Sequence, residues 1–151
     1  MDTSAPGTPG VTYNGGGNSC SWKNNYNITL SSTDNIGIST YEIDTNNDGT
    51  ADATTGANFV PGNGYHSHNV RFRAVDHAGN RSGWTGSHHI HMDTAQPSCT
   101  TPTGQSTSWT KGNRTITQGC SDSLSGCSSM QGTTYTWDAK VDTGFTGKVI
   151  T

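Results

Sequence analysis

Four histidines fall into two pairs of alternate residues, His66 and His68, then His89 and His91. Alternate residues of an extended strand share one face. Each pair therefore offers two imidazoles on one side, and two such pairs brought together would make a four-nitrogen zinc site. The competing explanation is solvation: with Ile90 and Met92 pointing inward, these histidines are the outward residues of a half-solvated sheet. A second candidate is the stretch Asp44-Thr-Asn46-Asn-Asp48-Gly49-Thr-Ala-Asp52. Oxygen-bearing side chains at positions 1, 3, 5 and 9, with glycine at 6, open a calcium loop; its ligands would be Asp44, Asn46, Asp48 and Asp52. Thr55 stands where the bidentate acid belongs, and Asp48-Gly49 equally suits the primed turn of a β-hairpin. A calcium loop and a bare hairpin both stay open, so calcium is the one cofactor the chain suggests.

The catalytic inventory is poor. There is no Gly-x-Ser-x-Gly elbow and no His-Glu-x-x-His helix. A glycosidase needs two carboxylates across a cleft, and Glu42 is the only glutamate in the chain. Asp34 and Asp76 read as caps of backbone N–H groups in turns. No enzymatic activity is expected. For ligand binding the candidates are Trp84 and Tyr65, since an exposed aromatic ring can stack on a sugar; burial in a core is the alternative for each. A net charge of −3 with no basic stripe gives no case for nucleic acid. No apolar run approaches the length of a membrane span.

The elements that must position these residues are strands. No window holds a 3.6-residue apolar period. Asn27–Ser31, Ser39–Ile43, Asn69–Val75 and His88–Met92 alternate instead, with Val70, Phe72 and Ala74 on one face and Arg71 and Arg73 on the other. Gly, Asn, Asp and Pro clusters separate them, as at Pro61-Gly62-Asn63-Gly64 and Asp76-His77-Ala78-Gly79-Asn80. Short strands with regular turn signals predict an all-β, antiparallel sandwich. Pro6 and Pro9 suit the approach to an edge strand, where a missing N–H does no harm.

The chain also repeats itself. Met1-Asp2-Thr3 with Pro6 returns as Met92-Asp93-Thr94 with Pro97, a constant shift of 91 residues, and Trp22 is echoed by Trp109. Thr134–Trp137 stands where the first copy has Thr40–Ile43. This predicts a complete module over 1–92 and the N-terminal part of a second over 93–151. Counterparts of Val70–Val75 and Ser87–Met92 are missing from the second copy, so a truncated second module is expected, with Met1 at a position internal to a longer array.

The run Val70–Asn80, the Met-Asp-Thr-x-x-Pro linker, and Asp34-Asn35-Ile36-Gly37-Ile38 followed by Tyr41-Glu42 resemble the tandem bacterial Ig-like domains of secreted or surface-anchored proteins. The resemblance implies an Ig-like or fibronectin III-like sandwich, no catalytic residues and no single ligand. It implies a spacer or display module whose partners are neighbouring modules, or an adhesin-type module that binds a glycan or a cell-surface protein. Cys120 and Cys127 resemble a local disulfide of such repeats. In a sandwich of this type Cys20 and Cys99 both fall at the junction with the second module, which predicts that they pair. Four cysteines used this way point to an oxidising, extracellular setting.

Overall fold

The computed structural model describes residues 1–15, 17–104, 114–127 and 134–137. Trp109 and residues 138–151, which enter the expected second module, lie outside them. The described residues contain strands and no helix, hence no helix long and apolar enough to cross a membrane. They divide into two units, Met1–Ala95 and Gln96–Thr151.

In the first unit, β1 (Gly10–Tyr13), β2 (Ile28–Ser31) and β5 (Asn58–Phe59) form one antiparallel sheet in the order β1-β2-β5. The second sheet holds β3 (Ile38–Asp44), β4 (Ala53–Thr55), β6 (His66–Asp76) and β7 (His88–His91), in the antiparallel order β4-β3-β6-β7. Alternation decides what lies between them. Ile28 and Leu30 of β2, with Tyr26 just before it, meet Tyr41, Ile43, Val70, Phe72, Ala74, Ile90 and Met92 in one buried cluster. Val70, Phe72, Ile28 and Ile90 are fully buried, and each contributes about 2 kcal/mol by leaving water. Pro6 and Pro9 are buried ahead of β1, which is an edge strand as their missing N–H groups require.

The Asp76–Asn80 turn that closes β6 is held by one carboxylate. Asp76 Oδ1 accepts the N–H groups of Ala78 and Asn80, both at 2.8 Å, and Oδ2 accepts Asn80 Nδ2 at 2.8 Å. Gly79 sits at φ 90°, a conformation that a side chain would strain. Asp34 caps Ile36 N at 2.9 Å in the same manner.

The boundary between the units falls at Ala95, three residues past the expected Met92, because the linker is tied back. Asp93 N donates to Lys23 O (2.8 Å) and Thr94 N to Asn63 Oδ1 (2.7 Å). In the second unit β8 (Ser98–Cys99) pairs with β10 (Cys120–Ser121), and β9 (Arg114–Thr117) pairs with β11 (Thr134–Trp137). Cys120 and Cys127 are disulfide-bonded across a turn. Cys20 and Cys99, the pair expected to bond, are both exposed, one in each unit. Cys99 is placed by strand pairing opposite Cys120, and Cys20 stands in a loop of the first unit among histidines.

Candidate functional site

A β-bulge builds the histidine cluster. His66 pairs with His91 and Ser67 with Ile90, but the next pair is Val70 with His88, so His68 and Asn69 together oppose His89. The extra residue changes the parity of β6. Val70, Phe72 and Ala74 face the core, whereas His66 and His68, also even-numbered, lie on the outer face with His91. The ring centroids of His66 and His91 are 4.5 Å apart, those of His68 and His91 4.6 Å, and those of His66 and His68 5.0 Å. His89 lies 5.7 Å from His68 on the far side.

Outward does not mean solvated here. The segment before β2 folds across this face: Lys23 N donates to His91 O at 2.9 Å, and His89 N to Asn18 Oδ1 at 2.7 Å. Trp22 then stacks on His66, centroids 5.6 Å apart at 19°, and tilts against His91 at 5.5 Å. His91 retains 4% of its exposure, while His66 and His68 stay open. Neither ring nitrogen of His91 has a hydrogen bond of normal geometry, although the Cys20 backbone approaches the ring. A buried polar group left in that state costs about 1–3 kcal/mol. Burial, and then the neighbouring His66 and His68, push the His91 pKa down, so the ring is neutral. Cys20 completes the surroundings. The donor atoms of His66, His68 and His91 all lie within 4.8 Å of one another, and so do those of Cys20, His68 and His89.

Further along the same face the sheet is closed by ion pairs. Arg73 Nε donates to Glu42 Oε2 at 2.6 Å, and Arg81 Nε to Glu42 Oε1 at 3.1 Å. Burial alone would raise the Glu42 pKa, but Arg81 and Arg73 outweigh it and hold the carboxyl below its usual range. Trp84 lies under these arginines, with the Arg73 guanidinium 4.2 Å and that of Arg71 5.4 Å from its ring centroid. One face of this partly buried indole is thereby occupied by cation–π contacts. Tyr65, the other aromatic candidate, instead packs against the core, its ring 5.8 Å from that of Phe59. Trp84 and Tyr65 thus occupy different environments and do not form a common platform.

Within Asp44–Asp52 the side chains are turned on their own loop. Asp44 is fully buried; its Oδ1 accepts Asn47 N at 2.6 Å, and its Oδ2 accepts Gly49 N at 2.9 Å and Arg71 at 2.5 Å. Asn46 Oδ1 caps Asp48 N, Asp48 Oδ1 caps Thr50 N, and Asp52 Oδ2 accepts both Thr45 N and Thr45 Oγ1. Ile43 pairs with Ala53 across this connection. The geometry is that of a hairpin whose carboxylates accept from backbone N–H groups and one arginine. At the Asp76 turn, Asp2, Asp34 and Asp76 bring carboxylate oxygens within 4.8 Å; each of the three also caps a backbone N–H.

Comparisons with protein-family models, with curated proteins and with solved structures find no match. The pairing of histidines by face was readable from their spacing. What the sequence did not reveal was the extra residue in β6 and the Trp22 segment that covers His91. The one available signal was that even-numbered His66 and His68 share parity with the core residues Val70 and Phe72.

Proposed function

We propose that this chain is a non-catalytic Ig-like, fibronectin III-like repeat segment that spaces or displays other parts of a larger secreted or surface protein. The observation that carries this reading is the first unit itself. Three antiparallel strands and four enclose one core, and the unit ends within three residues of the recurring Met-Asp-Thr phrase. Three strands against four is an arrangement found among fibronectin III-like sandwiches, which do not share function through their fold. The Cys120–Cys127 disulfide favours an oxidising compartment. Trp84, capped by Arg73, supports a spacer over a sugar-stacking adhesin.

A glycan array probed with the 151-residue chain, together with small-angle scattering of a chain carrying several copies of residues 1–95, tests this reading. No glycan bound and a scattering profile that lengthens with each copy are the expected results. A glycan retained by the native chain and lost in Trp84→Ala would replace the spacer with the adhesin.

A further inference from the structure

We infer that His66, His68 and His91 form a binding site for a borderline-soft divalent transition-metal ion, zinc being the reference case, on the outer face of the β6–β7 pair. Three observations converge. Neutral imidazole is a preferred ligand of such ions, and the three rings come from adjacent strands with centroids 4.5–5.0 Å apart. His91 is almost fully buried, its ring nitrogens make no hydrogen bond of normal geometry beyond the approach of the Cys20 backbone, and it touches the other two rings. Edge-to-face ring packing accounts for part of this contact, and a metal ligand needs two such neighbours within reach. The bulge at His68 and Asn69 is the device that brings the even-numbered histidines to this side, and bulges commonly re-aim functional side chains.

The fit is close. Zn–N bonds of about 2.0–2.1 Å place tetrahedral nitrogens about 3.4 Å apart. The three donor atoms lie within 4.8 Å of one another, and the two that must approach belong to exposed rings, His66 stacked on Trp22 and His68 more open. His91 is the fixed ligand, held by the β7 ladder and Trp22; His66 and His68 close onto it. Three protein nitrogens leave a fourth position for water. Cys20 and His89 group with His68 on its other side and are not ligands in this assignment. An ion here would lock β6 to β7 at the bulge, two residues before the linker begins at Asp93. It would do so without any part in the spacer reading, which stands or falls separately.

The test is calorimetric titration of the tag-free chain with zinc chloride alone, under argon and without reductant so that the Cys120–Cys127 disulfide stays intact. One equivalent bound is expected. His66→Ala and His68→Ala should each weaken binding at least about 100-fold, beyond the 10- to 100-fold typical of merely supporting residues, and His68→Ala, which leaves the Trp22–His66 stack intact, should also leave the metal-free melting temperature unchanged. Cys20→Ser and His89→Ala should bind as the parent does, and cobalt in place of zinc should show no thiolate charge-transfer band. Absence of zinc binding, binding indifferent to His66→Ala and His68→Ala, or binding lost in Cys20→Ser would each overturn the assignment.

Discussion

Asp44 shows how one buried carboxylate can organise a loop. Cross-strand pairing sets Asp44 opposite Arg71 and Glu42 opposite Arg73, the opposite-charge pairs that stabilise a sheet face. Burial alone would raise the Asp44 pKa, but the Arg71 guanidinium and the N–H groups of Gly49, Asn47 and Asn46 outweigh it and hold it at about 2. Because the folded pKa lies below the unfolded value of 3.8, the carboxylate stabilises the fold fully above about pH 4 and loses that effect as the pH falls towards about 2. Glu42 and Asp76 are shifted in the same direction, so they share the acid limb. Asp44→Asn should cost about 2 kcal/mol at neutral pH, the scale of a charged hydrogen-bonded pair. It should also flatten, without abolishing, the loss of melting temperature on acidification. An unchanged acid limb in the variant would place the titrating group elsewhere.

At the scale of the element, the decisive feature is the extra residue in β6. Removing one residue from a regular strand inverts every side chain beyond it. At a bulge the same deletion restores the ladder instead. Without Asn69, His66 would still oppose His91, Ser67 would still oppose Ile90, and His68 alone would oppose His89. Deletion of Asn69 should therefore leave the unit folded, its melting temperature within about 5 °C, a shift worth roughly 1 kcal/mol in a domain of this size. Deletion of Phe72, in the regular stretch, should unfold it by turning Val70 out of the core. Thermal denaturation of both variants decides the matter, and equal damage from the two deletions would refute the bulge. The same feature separates what was legible in the sequence from what was not. Alternation placed Val70, Phe72 and Ala74 inside and Arg71 and Arg73 outside because burial acts on each residue in turn. It was silent about phase across the bulge, where the extra residue carries no turn signal of its own. It was equally silent about Trp22, since a loop that covers a sheet face is chosen by distant contacts rather than by local pattern.

At the scale of the molecule, each unit is supported by its own contacts. The first encloses a core from seven strands. The second contains a short-range disulfide between residues 120 and 127, which in the chain-entropy picture is worth about 2–3 kcal/mol because its loop is small. The repeat signalled this division, and a staple from Cys20 to Cys99 would tie the two units covalently; spacing alone does not fix cysteine connectivity. The exposure of both cysteines makes their state open to a chemical test. Alkylation of the native, non-reduced chain followed by mass mapping should label Cys20 and Cys99 and find Cys120 joined to Cys127. Residues 1–95 produced alone should melt cooperatively at the temperature of the first transition of the full chain, and reductant should leave that transition in place. A Cys20–Cys99 peptide, or a first transition that falls when disulfides are reduced, would restore the staple. The two units would then share their stability through a covalent tie.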